Sequence, residues 1–219
     1  MTVYWVYERL LAAFGPQGWW PGEGGAFEVA VGAVLTQNAA WRNVERALAG
    51  LAERDWLGPR AIRDADPGEL GEAIRPSGYF NVKAERLQAL ARAWVDVGGE
   101  QALASMATDE LRQWLLGIRG VGRETADDVV VYGFERPVFV VDAYTRRILA
   151  RLGMIQGDEP YESLRSHVEA ELGIGEGATQ RLNEFHALIV ALGKDICRPR
   201  PNCPSCPLAS DCPTGRQPD

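Results

Sequence analysis

The chain has 219 residues, 46% of them hydrophobic and 24% charged, and no apolar run long enough to span a membrane. Its net charge of −7 argues against a protein that coats nucleic acid indiscriminately, so contact with a polyanion would need a local basic face on an acidic body. No signal peptide is recognisable and all 4 cysteines crowd between Cys197 and Cys212, which argues for a cytoplasmic protein rather than a secreted disulfide scaffold.

In chain order, apolar residues recur at helical spacing. Phe27, Val31, Val34 and Leu35 make one stripe, Trp41, Val44, Leu48 and Leu51 another, and Leu87, Leu90, Ala91 and Trp94 a third. Strand alternation is scarce. Gly15-Pro16, Pro21 to Gly25, Gly58-Pro59 and Pro76 to Gly78 mark short connections. Tyr79 and Phe80, just beyond the last of these, read as closing a core.

Thr108 is the expected N-cap of a helix that has Asp109 and Glu110 in its first turn and carries Leu111, Trp114 and Leu115. Gly117-Ile118-Arg119-Gly120-Val121-Gly122 then leads into a second helix at Arg123-Glu124-Thr125-Ala126. Gly120 and Gly122 are expected to adopt backbone angles closed to other residues. They would leave the amides of Val121, Gly122 and Arg123 open at a helix N-terminus, where an anion such as a phosphate fits. A plain helix–helix turn with glycine C-caps explains the same residues. No strand precedes these glycines, which disfavours a dinucleotide loop.

The apolar stretch Val129 to Val141, broken by Glu135-Arg136-Pro137, is expected to be buried and to cross between domains. Asp142 follows and can cap a helix over Ala143 to Leu152, a role that would keep its carboxylate ionised and fixed. Arg119, Arg123, Arg146, Arg147 and Arg151 are expected around the glycine turn, as a small basic face or as ordinary solvated helix residues. His186 reads as a packed histidine, and His167 has no motif around it.

Cys197, Cys203, Cys206 and Cys212 are spaced C-x5-C-x2-C-x5-C. Four thiolates in one short loop can hold tetrahedral zinc or an iron-sulfur cluster, and spacing alone does not choose between them. Pro199, Pro201, Pro204 and Pro207 stiffen the loop, and Arg198 and Arg200 would point positive charge outward.

The stretch from Leu116 to Arg146 resembles the helix-hairpin-helix plus Gly/Pro-Asp signature of the endonuclease III superfamily of DNA glycosylases. The resemblance implies an all-α fold of two helical domains flanking a DNA-binding cleft. One is a six-helix domain over residues 24–136; the other combines 1–23 with 137–219 and carries the cysteine loop, 197–212. It implies a [4Fe-4S] cluster on the four cysteines, although relatives usually have six residues between the first two, where this chain has Arg198 to Asn202. The implied partner is double-stranded DNA with a damaged base, met by a monomer with no membrane association and no small-molecule cofactor besides the cluster. Gly120, Val121, Gly122, Arg123, Arg198 and Arg200 would contact DNA, and Gln37 would enter the gap left by a flipped nucleotide.

Bifunctional members of that superfamily carry a lysine in the second helix of the motif, and the equivalent residue here is Glu124. A carboxylate cannot form an imine, and the chain's two lysines, Lys83 and Lys194, lie outside the motif, so strand cleavage is not expected. Asp142 is the expected catalytic residue, stabilising a cationic sugar and helping water to attack it. Trp19-Trp20-Pro21, Leu35-Thr36-Gln37-Asn38, the segment Arg75 to Asn81 and Glu124 together resemble the 3-methyladenine DNA glycosylase branch. That implies a base pocket of Trp19, Trp20, Pro21 and Glu124 and alkylated purines as substrates, since a cationic base stacks well on aromatic rings. Glycosylases for oxidised pyrimidines or mismatches, and a lesion-binding protein without turnover, are the alternatives.

Overall fold

The computed structural model describes residues 1–19 and 24–216, which form an all-helical chain with no strand among them. In chain order the helices are α1 (Val3–Phe14), α2 (Ala26–Thr36), α3 (Trp41–Ala52), α4 (Pro59–Asp64), α5 (Pro67–Ala73), α6 (Phe80–Asp96), α7 (Glu100–Ala104), α8 (Thr108–Leu116), α9 (Arg123–Asp128), α10 (Ala143–Arg151), α11 (Tyr161–Leu172) and α12 (Ala178–Asp195). None is long and apolar enough to cross a membrane. The chain divides into two compact units, Gly22–Arg136 and the combination of Met1–Pro21 with Pro137–Asp219.

In the central unit, Gly22–Arg136, the stripe on α2 is broader than its spacing suggests. From Ala26 to Leu35 every residue except Glu28 is buried, because α3, α6 and α9 all pack around this helix. Ala30, Gly32 and Ala33 are small enough to admit them. Leu87, Leu90, Ala91 and Trp94 of α6 are buried as the periodicity predicts, and Trp94 meets the edge of Phe27 at 5.2 Å. Burying each such large apolar side chain stabilises the unit by roughly 1.5–3 kcal/mol.

The unit holds α2 through α9, more helices than the six expected. Three of them, α4, α5 and α7, are too short to show an apolar stripe. Proline starts α4 and α5, and α7 follows Gly99, so each reads as a connection in sequence. Thr108 is not the cap of α8 but its first residue. The Glu110 carboxylate instead accepts the Ala107 amide at 3.0 Å and satisfies one of the helix's unpaired donors. Arg112 of α8 donates to both oxygens of Asp127 in α9, at 2.6 and 3.2 Å, and both residues are buried. That pair locks the two helices of the glycine turn together.

The terminal unit is built on α12, whose residues from Glu184 to Ile189 are all buried. Leu10 of α1, Ile148 and Leu149 of α10, Val168 of α11 and Leu188 of α12 share one core with Phe139 and Phe185. The segment Val138 to Val141 is buried without helix or ladder. Side chains answer part of its backbone demand: Phe139 donates its amide to Glu169 at 2.9 Å and Val141 to the Tyr161 hydroxyl at 3.3 Å.

Candidate functional site

The glycine turn lies between α8 and α9. Gly120 has φ +92°, where a side chain is strained, and a Cβ there would sit 2.3 Å from Cγ of Arg86. Glycine is therefore required twice over at this position. Gly122 differs from expectation: its φ of −92° is open to any residue. What glycine leaves there is empty space, since a Cβ would meet nothing within 4 Å. Val121 also differs, because its amide donates to the Ile118 carbonyl at 3.1 Å rather than facing outward. The start of α9 is capped by no described side chain, and an uncapped helix N-terminus is chemically suited to an anion.

Gln37 ends α2 at its C-cap position. Its amide nitrogen donates to the Gly120 carbonyl at 3.1 Å and to the Thr125 hydroxyl at 2.9 Å, while its oxygen accepts from Arg86. The side chain is thus oriented by partners on α6, in the turn and on α9. Gln37, Asn38, Arg86 and the residues Gly120 to Thr125 line one cavity of about 540 Å³. Arg123 and Glu124 are exposed on its wall. Tyr79 is not part of a core: it is 72% exposed and held at φ +46°, an uncommon angle for an aromatic residue. Phe80 is half-buried beneath the Arg75 guanidinium, 4.5 Å from the ring centre.

Asp142 caps α10, as its position predicts. Its Oδ1 accepts the Thr145 amide at 2.7 Å and the Thr145 hydroxyl at 2.8 Å. Burial works against the charged form, but His186 first and Thr145 second outweigh it and hold the carboxyl below the usual carboxylate range. Nε2 of His186 lies 3.7 Å from Asp142 Oδ2. The imidazole meets Trp19 edge-on at 6.1 Å, while Trp20 and Pro21 lie outside the described residues. Glu184, also on α12, accepts the amides of Gln17 and Gly18 at 2.6 and 3.3 Å and so holds the segment leading into Trp19. His186 and Glu184 come from far along the chain, and no local pattern marks them.

All 4 cysteines are free and partly exposed. Cys197, Cys206 and Cys212 pack against the terminal core. Burial pushes the Cys206 thiol up, and Cys197, Cys212 and Cys203 are all near enough to push it the same way. Arg147 and Arg151, expected as part of a basic face, instead both bind this loop. Arg147 donates to the Cys197 carbonyl at 2.8 Å, and Arg151 to Cys197 Sγ at 3.2 Å and to the Arg198 and Pro199 carbonyls. Arg146 donates to the Glu159 carbonyl, while Arg198 and Arg200 are exposed. Among the described residues, no group of three or more His, Cys, Asp or Glu side chains is gathered as a single metal ion requires.

Two helices joined by a glycine turn, and an ionised aspartate capping the next helix, define a helix-hairpin-helix protein with a candidate catalytic carboxylate. Residues 31–172 match the HhH-GPD superfamily of base excision DNA repair proteins, and the chain belongs to that family. It is 41% identical over 213 residues to a candidate DNA repair glycosylase of Methanocaldococcus jannaschii, covering 96% of this chain and 95% of that one. It is 31% identical over 190 residues to endonuclease III of Thermotoga maritima, with 85% and 82% covered. Among solved structures it is similar to the H. pylori 3-methyladenine DNA glycosylase bound to 1,N6-ethenoadenine, with a TM-score of 0.76, 30% identity and 89% and 98% covered. A non-covalent endonuclease III–DNA complex gives a TM-score of 0.83 at 25% identity, with 98% and 95% covered.

Proposed function

We propose that the protein is a monofunctional DNA glycosylase that removes alkylated purines such as 3-methyladenine by hydrolysis at Asp142. The observation that carries this reading is a buried carboxylate held ionised in a chain that offers no lysine nucleophile. Glu124 occupies the motif position at which bifunctional relatives place lysine. Lys83 is 1% exposed and donates from Nζ to the Leu35 and Ser77 carbonyls at 2.8 Å each. Lys194 is exposed in the last turn of α12, outside the motif.

In the proposed step the C1′–N bond breaks with its electron pair going to the base. A cationic N-alkylated purine departs neutral, so it needs little acid assistance. Asp142 stabilises the positive charge that develops on the sugar, a contribution of roughly 3 kcal/mol for one well-placed group. Water then forms the C1′–O bond and releases its proton towards Asp142 and solvent. Trp19, beside His186, supports the pocket reading, because an aromatic face favours a cationic base by roughly 1–2 kcal/mol. The turn at Gly120 to Arg123 would hold the DNA backbone, with Gln37 and the exposed ring of Tyr79 available to the bases.

The four cysteines suit a [4Fe-4S] cluster: they are free, close enough to influence one another, and set in a loop anchored by Arg147 and Arg151. Cys197, Cys203, Cys206 and Cys212 would hold it, and bound iron would supply structural cross-linking of the loop that presents Arg198 and Arg200. The test is incubation of the purified protein with duplexes bearing either methylated purines or oxidised pyrimidines, free base being quantified separately from strand breaks. Methylpurine release without breaks is expected. Cleavage at oxidised pyrimidines would favour an endonuclease III type of enzyme instead.

A further inference from the structure

His186 is 6% exposed near the middle of α12, edge-on to Trp19 at 6.1 Å and to Phe139 at 6.2 Å. An imidazole among aromatic rings can serve packing alone, but this one turns its Nε2 to within 3.7 Å of Asp142 Oδ2. The two bonds from Thr145 occupy both lone pairs of the other oxygen, Oδ1. Oδ2 is therefore the oxygen left for a reacting centre, and His186 faces it.

We propose that His186 is a positioning residue for the reaction at Asp142, its Nε2 securing Oδ2 so that the carboxylate stays charged and in place during the chemical step. The inference rests on the reading of Asp142 given above. The 3.7 Å separation exceeds a charge-assisted hydrogen bond by about 0.8 Å. Such contacts are commonly long before substrate binds and tighten in the reacting complex. An apolar ring at position 186 would leave Oδ2 against hydrocarbon, where a carboxylate takes up a proton rather than remain charged. The same helix braces the neighbouring aromatic wall through Glu184 and the Gln17 and Gly18 amides. One element thus sets both the carboxylate and Trp19.

The test compares single-turnover release of methylated purine, alongside affinity for the lesion duplex, in the wild type, His186→Phe, His186→Leu and His186→Gln. Phe and Leu remove the polar atom, so either serves if the other fails to fold, and Gln restores an N–H at similar reach. The apolar variants should release base roughly 10–100-fold more slowly, as when the outer partner of a reacting group is lost. Their affinity should stay within about twofold, and Gln should recover most of the rate. Wild-type speed in the apolar variants, or an equal loss in all three, overturns the proposal. In an Asp142→Asn background, His186→Phe should add no further slowing, and an additive loss also overturns it. Wild-type release by Asp142→Asn alone would sink the carboxylate reading itself, a failure distinct from any result with native Asp142.

Discussion

The two units of this molecule use different kinds of chemistry. In the central unit the candidate DNA contact is made of backbone shape: the positive φ of Gly120, the open space beside Gly122 and a glutamine held by its neighbours. In the terminal unit everything of interest is a titratable side chain: Asp142 with His186, Glu184 on two amides, and four thiols in one loop. The contrast teaches that grip and chemistry can be broken separately. Damage to the first should appear as lost affinity or stability, and damage to the second as lost turnover on DNA that is still bound.

The largest expected effect is on turnover. Asp142→Asn keeps the shape of the N-cap but removes the charge, and single-turnover base release should fall about 100- to 1,000-fold while the variant still binds lesion duplex. Next in size is the buried pair of the central unit, whose members are 6% and 0% exposed in their side chains. Arg112→Met alone strands the Asp127 carboxylate and should cost roughly 3–5 kcal/mol in denaturant unfolding, whereas replacing both partners with apolar residues should recover much of it.

Lys83→Met should cost roughly 2–3 kcal/mol by leaving two carbonyls unsatisfied. Burial first, and Arg86 second, lower the Lys83 ammonium to about 8. Between that value and its ordinary one the unfolded chain binds the extra proton, so this contribution to wild-type stability is full above the ordinary lysine range and falls as pH drops through about 8. Melting curves of the wild type and Lys83→Met should therefore diverge with rising pH. The smallest effect sharpens the comparison from the binding side. Gly120→Ala should cost roughly 1–3 kcal/mol of strain and crowding, weakening DNA binding without slowing release at saturating protein.

Local features were legible in the sequence. The α2 and α6 stripes, the start of α9 at Arg123 and the capping role of Asp142 each depend on residues within a few turns of one another. The hairpin's inner bonding was less so: the Val121 amide turns inward and Gly122 keeps an ordinary backbone angle, details set by the packing of α8 on α9. The exposed, strained Tyr79 was missed because an aromatic beside Phe80 reads as core on composition alone. His186 could not be paired with Asp142 by any periodicity, since α12 returns to the capped end of α10 only in three dimensions. The arginines of α10 show the same limit, for Arg147 and Arg151 look like a basic face and instead bind the carbonyls of the cysteine loop.

The central claim is hydrolysis without a lysine nucleophile. Borohydride trapping during turnover on a methylated-purine duplex, with free base counted in the same reaction, tests it most directly. Free base accumulating without a protein–DNA adduct is the predicted result. A trapped covalent adduct would mean that an amine attacks the sugar after all, and would contradict the account.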